Sequence, residues 1–168
     1  MKQVVVMQAV SGAGKSTLAK RMVEQARAAD MNATIVSADY YFYALGRPAD
    51  ILGDESTWGE YKYDPKTIGD AHDKCFVDFL GYIRDWPDGV VIVDNTNQVI
   101  ADCAPYIRAA SAFGWDASIL RISIDPEVAA ARGTKGLKPK DVEQMWINIV
   151  SQPYPRWWKI KTVPAQGV

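Results

Sequence analysis

Two hydrophobic rhythms alternate along the chain. Residues 3–8 are almost continuously apolar around Val4, Val5, Val6 and Met7, as expected of a strand buried on both faces. Residues 33–37 and 90–93 repeat that pattern, 118–124 reads as a fourth strand, and 159–163 carries a weaker fifth signal. Between these runs the period lengthens. Leu18, Met22 and Ala26 share one face of a helix predicted over 15–29, and Ile68, Ala71, Cys75, Phe79 and Ile83 share one face over 65–85. Further helices are predicted over 100–113, ended by Gly114, over 126–131 behind Asp125-Pro126, and from 138 or 139 to 150. Strands alternating with helices predict an α/β fold. Its sheet is mostly parallel, its crossovers are right-handed, and helices cover both faces. No repeat, low-complexity tract or linker interrupts the pattern, so residues 1–168 read as a single domain.

Residues 40–65 follow neither rhythm. Tyr40, Tyr41, Phe42, Tyr43, Trp58, Tyr61 and Tyr63 crowd this stretch, interleaved with Gly46, Pro48, Gly53, Gly59 and Pro65. The composition predicts an irregular insertion packed by its own rings, and a loop of that length is usually functional or mobile.

Bulk properties narrow the class. With 168 residues, 48% hydrophobic and 23% charged, the chain can bury a real core. Cys75 and Cys103 show no metal-ligand spacing and read as buried free thiols in a reducing cytosol. No apolar run reaches transmembrane length, and the first apolar segment is too short for a signal peptide. These features predict a cytoplasmic protein with no membrane partner. The net charge of −1 excludes a global basic field for nucleic acid. Charge is nevertheless uneven. Residues 39–102 hold thirteen acidic and five basic side chains, whereas 132–161 hold seven basic and two acidic. This asymmetry is either a set of solvated helix faces or a phosphate-facing last third opposite an acidic middle.

The strongest chemical signal lies between the first strand and the first helix, where Ala9 to Thr17 read AVSGAGKST. The pattern G-x-x-x-x-G-K-[ST] is met except for Ala9 at its first position. Gly12 and Gly14 let successive N–H groups face one concavity, and the helix start adds unsatisfied donors and a positive dipole end. Ser11, Gly12, Ala13, Gly14, Lys15, Ser16 and Thr17 are therefore the candidate phosphate cradle. Lys15 would reach the β- and γ-phosphates, and the Ser16 hydroxyl would hold Mg²⁺.

Other candidates stand at predicted strand ends. Asp39 follows the second strand and suits either a general base or a helix N-cap. Asp94 ends four consecutive apolar residues. It reads as a carboxylate that aids Mg²⁺ binding, as the orienter of a basic side chain from the flexible loop at 132–136, or as a simple turn residue. Arg132 and Lys135 lie in a glycine-punctuated loop of the kind that closes over a nucleotide. His72 reads as a packing or hydrogen-bonding residue. Tyr40, Tyr41, Trp58, Trp157 and Trp158 are core candidates with a base-stacking alternative.

The ordered set SGAGKST at 11–17, Asp39-Tyr40-Tyr41, Glu60-Tyr61-Lys62-Tyr63, Asp94-Asn95-Thr96-Asn97 and Arg132-Gly133-Thr134-Lys135 resembles the kinase domain of the phage polynucleotide kinase family and its P-loop relatives. The likeness runs from residue 2 to about residue 150. It implies a P-loop NTPase/kinase fold with a flexible lid at about 132–138, and ATP- and Mg²⁺-dependent phosphoryl transfer to a hydroxyl on a nucleic acid. The hydroxyl is a 5′ end or the hydroxymethyl of a base such as 5-hydroxymethyluracil, on DNA in preference to RNA. By the same resemblance Lys15, Ser16 and Thr17 meet the phosphates and the metal, Asp39 is the base, Asp94 is a supporting acid, and Arg132 is the lid arginine. One departure matters. The family places a phosphate-gripping arginine three residues after the catalytic Asp, where this chain has Phe42. That suits an acceptor recognised by its ring. A small-molecule kinase and an ATP-driven switch module are the alternatives.

Overall fold

The computed structural model describes residues 1–167. Five strands, β1 (Lys2–Ala9), β2 (Ala33–Val36), β3 (Gly89–Val93), β4 (Asp116–Ser123) and β5 (Lys159–Pro164), form one sheet in the order β2-β3-β1-β4-β5. Every pairing is parallel. The weak fifth signal is a genuine strand, and it pairs with β4 from Ser118–Lys159 to Ser123–Pro164.

The helices are α1 (Lys15–Ala28), α2 (Ile68–Asp85), α3 (Ile100–Ala112), α4 (Pro126–Arg132) and α5 (Pro139–Val150). Successive side chains of β1 point to opposite faces, as a strand requires. Val5, Met7 and Ala9 join a core with Ala19 and Val23 of α1, Ala129 of α4, and Val142 and Ile149 of α5. Val4 and Val6 join a second core with Ala71, Cys75, Phe79 and Ile83 of α2 and Cys103, Tyr106 and Ala110 of α3. The α2 residues are four of the five inward positions read from the sequence. The fifth, Ile68, is 39% exposed because it sits at the first turn, beyond the packed face. The predicted start at Pro65 is a separate single turn, Pro65–Thr67, capped by Asp64 accepting from Lys66 N–H.

Both cysteines are free and buried. Burial raises the Cys75 thiol and pushes Cys103 up to about 12, which keeps both protonated and unreactive. Among the described residues no helix is long and apolar enough to cross a membrane.

The insertion is irregular, as its composition predicts, and its rings hold it together. Tyr40 and Tyr43 meet Trp58 edge-on at 5.8 and 5.3 Å. A single antiparallel bridge, Tyr43 to Tyr61, ties its two limbs. Arg47 reaches back to the open side of β2, donating to Ile35 O at 2.9 Å and Thr34 Oγ1 at 2.7 Å. That occupies an acceptor on a sheet edge that would otherwise be free to pair.

Candidate active site

Parallel strands end on one side of the sheet, so the segments after β1, β2 and β3 all emerge at the same edge. Because β3 lies between β2 and β1, Asp94 falls between Asp39 and the glycine turn. The tips are stitched together by side chains. Asn97 donates to Met7 O at 2.7 Å, and Ala9 N–H donates to Thr96 O at 3.2 Å, joining β3 to β1. Asn95 Oδ1 accepts from Ala38 N–H at 2.9 Å, and Ser37 Oγ donates to Asp94 O at 2.9 Å, joining β3 to β2. Asn97 adopts φ 48°, a left-handed conformation that asparagine tolerates better than most residues. The asparagines of the run Asp94-Asn95-Thr96-Asn97 therefore fix the separation of the three strand tips, a structural role that their spacing alone does not show.

The glycine turn has the conformation a phosphate cradle needs. Gly12 and Gly14 have φ of 84° and 80°. Gly14 caps α1 without any side-chain acceptor, which leaves first-turn N–H groups free to bind an anion. A Cβ at Gly12 would lie 2.1 Å from Ala129 O, so the end of α4 is packed directly on the turn. We expect Gly12→Ala to cost about 2–5 kcal/mol through backbone strain and overpacking. It should also abolish nucleotide binding. Thermal melts and calorimetric titration with ATP check this, and a variant that melts and binds as the parent does would refute the packing account.

Lys15 Nζ donates to Asp94 Oδ1 at 2.6 Å. The ammonium is thereby held at the floor of a cleft of about 330 Å³, lined by residues 10–17, Ala38, Asp39, Tyr63, Ile68, His72, residues 94–96 and Lys135. Of the partners left open for Asp94, the structure selects the P-loop lysine rather than a base from the later loop. Ser16 lies in the same cleft. Among the described residues no cluster of three acidic, histidine or cysteine side chains could hold a metal alone. One hydroxyl and one carboxylate nevertheless fit Mg²⁺, which takes few protein ligands and completes its shell with water and phosphate.

Asp39 stands in a short 3₁₀ turn, Ala38–Phe42, and its side chain is exposed. The cap role is taken by Ser37, whose Oγ accepts from Asp39 N–H at 3.3 Å. The carboxylate is thus free for chemistry. Tyr61 donates its hydroxyl to Asp39 Oδ1 at 3.1 Å. Burial and then the Asp39 charge push the Tyr61 phenol above its ordinary value, so it stays protonated and keeps donating.

The two basic candidates separate. Lys135 lines the Lys15 cleft. Arg132 lies on the other side of the glycine turn, beside Gly14, and donates to Gln166 O at 3.3 Å. It lines a cavity of about 150 Å³ with Ala13, Thr17, Leu18 and Ile122. The basic excess of 132–161 is not gathered on one face either, since Lys159 pairs with Asp116 at the opposite sheet edge.

His72 lines the Lys15 cleft, which its sequence context did not suggest. The available signal was its spacing of four from Ile68, which puts both on the same face of α2, next to the packed one. Of the ring candidates, Tyr40 and Trp58 are buried, and Trp157, 81% exposed, stands beside Trp115 and Asp116 at the edge remote from Asp39. Phe42 is also buried, beneath Tyr61 and Tyr63 at 6.0 and 5.1 Å, so it supports other rings rather than meeting a ligand.

A family model described as an AAA domain matches residues 4–143. Solved structures share the fold at low identity. The APS kinase CysC of Mycobacterium tuberculosis, with AMPPNP and APS, superposes with a TM-score of 0.60 at 11% identity over 99% of this chain and 90% of that one. Kti12 of Chaetomium thermophilum, with ADP-AlF3, gives 0.60 at 15% over 97% and 89%. A chain of the Pnkp1/Rnl/Hen1 RNA repair complex gives 0.62 at 13%, over 88% of this chain and 44% of that one. No curated protein matches the sequence. The fold is that of the P-loop NTPases and kinases.

Proposed function

Since the chain belongs to the AAA domain family, we propose that it is an ATP-dependent phosphotransferase acting on a hydroxyl carried by a nucleic acid. One observation carries the reading: Asp39 lines two clefts at once. The first holds the glycine turn and Lys15, and the second, of about 590 Å³, is lined by Asp39, Tyr43, Tyr61, Tyr63, Thr134 and Lys135. A donor in the first and an acceptor in the second would meet at the carboxylate.

The chemistry follows from the residues. The amides of 11–17 and Lys15 hold the β- and γ-phosphates. The acceptor O–H breaks, its proton passes to the Asp39 carboxylate, and the oxygen bonds to the γ-phosphorus. The bond from that phosphorus to the bridging oxygen breaks, and its electron pair leaves with ADP. Lys15 and Lys135 offset the charge spread over the transferring group. Ser16 and Asp94 would hold Mg²⁺, which neutralises phosphate charge when bound.

The favoured acceptors are a 5′-hydroxyl end and the hydroxymethyl of a base such as 5-hydroxymethyluracil in phage DNA, with DNA preferred to RNA. The order of motifs shared with the phage polynucleotide kinases supports this. A second reading, a small-molecule kinase, is favoured by the acid excess of residues 39–66, six acidic against three basic, which suits a polyanionic strand poorly. The fold is shared with both an APS kinase and an RNA repair chain, so it does not choose between them.

An acceptor panel with γ-labelled ATP and Mg²⁺ decides. We expect label in 5′-hydroxyl oligonucleotides or in DNA bearing 5-hydroxymethyluracil. Label confined to nucleosides or other small molecules establishes the second reading. Steady ATP turnover without any acceptor would make the chain a switch module and refute both.

A further inference from the structure

We propose that Tyr43, Tyr61 and Tyr63 form a seat for one planar heteroaromatic ring, a single unstacked base, that delivers its hydroxyl to Asp39. This deepens the reading above and rests on it for the identity of the hydroxyl.

The seat is built, not incidental. Two limbs of the insertion are tied by Ala44 N–H to Glu60 O and Lys62 N–H to Phe42 O, both 2.9 Å, around the Tyr43–Tyr61 bridge. This places Tyr43 and Tyr61 side by side, with ring centroids 5.0 Å apart and planes at 60°. Phe42 and Trp58 back them from the core side. Tyr61 and Tyr63 nevertheless remain 43% and 56% exposed. Rings fixed from behind and open in front present apolar faces at little cost in side-chain entropy. The tilted planes make walls of a cleft rather than a flat platform. The hydroxyl of Tyr61 is bonded to the Asp39 carboxylate at 3.1 Å, so the same residue that lines the seat also sets the position of the base.

Charge defines the ligand further. Lys62 is paired with Glu60 at 3.0 Å, and Lys135 is the cation among the cleft's lining residues. With the surrounding insertion acidic, the seat has little capacity to neutralise a run of phosphates. It fits one ring with at most one or two phosphates near Lys135. A neutral base extruded from a strand, or the last base of a strand, meets that description; a continuous backbone track does not.

The test separates the seat from the transfer. Binding of free thymidine and free 2-deoxyribose to the full chain is followed by ligand-observed NMR, with Tyr63→Ala and Tyr63→Phe alongside. We expect thymidine to bind and deoxyribose not to, with Tyr63→Ala weakening thymidine by about 10- to 100-fold. Tyr63→Phe, which keeps the ring, should bind as the parent does and serves as the folding control. Equal binding of ring and sugar, or equal affinity in Tyr63→Ala, overturns the seat. The acceptor panel reads the other question. Ring binding without label in any nucleic acid removes the nucleic-acid reading and leaves the seat standing. Label in nucleic acid without ring dependence does the reverse.

Discussion

Asp39→Asn is expected to lower kcat for phosphoryl transfer by about 10²- to 10⁴-fold, the range a positioned general base supplies. ATP affinity should be retained. The two effects separate because Asp39 is not part of the glycine turn and lines the tyrosine seat as well as the Lys15 cleft. Stability should also hold. The carboxylate is exposed, Ser37 does the capping, and an asparagine oxygen can still accept from Tyr61. Single-turnover transfer and calorimetric ATP titration on the same variant give the comparison. Transfer at the parental rate would remove Asp39 from the chemistry. A parallel loss of ATP binding would mean that the carboxylate organises the donor site instead.

Lys15→Ala should be the more damaging change, because it acts twice. It removes the cation aimed at the phosphates, for which a loss of at least about 10²- to 10³-fold in transfer is expected. It also leaves Asp94 without its partner. The two side chains are 15% and 7% exposed and 2.6 Å apart, so the carboxylate would remain buried and uncompensated. Breaking a buried pair from one side costs about 3–5 kcal/mol, far more than removing both charges. The double variant Lys15→Ala/Asp94→Asn is therefore expected to recover most of the lost stability and none of the activity. Denaturant midpoints for parent, single and double variants read this directly. A single variant as stable as the parent would show that the pair contributes nothing to the fold. Recovery of transfer in the double variant would show that Lys15 serves only to silence Asp94.

The glycine turn was legible from residues alone because the two glycines, the lysine and the helix start that make it lie within a few positions of one another. Asp39 and Asp94 were legible for a related reason: a carboxylate directly after an apolar run must emerge at the ligand edge of a parallel sheet. Which role each would take was not legible. Ser37 relieves Asp39 of capping, and Lys15 rather than a loop base claims Asp94, and both outcomes depend on contacts across strands. A lone helical His72 reads from the sequence as a packing or hydrogen-bonding residue, and only the docked helix shows that its face, beside the one buried at Ala71 and Cys75, meets the cleft. Arg132 and Lys135 are three residues apart in one loop, yet they face different sides of the glycine turn.

Local pattern by itself determined the elements, their order and the glycine turn, since periodicity, turn chemistry and glycine spacing act over a few residues. Tertiary structure alone decided that β3 inserts between β2 and β1, that Asn95 and Asn97 lock the three tips, and that Tyr61 reaches Asp39 across 22 residues. Those contacts join segments that carry no mark of one another. They form because two apolar faces of the sheet must be covered at once, and the packing that covers them fixes which tips become neighbours.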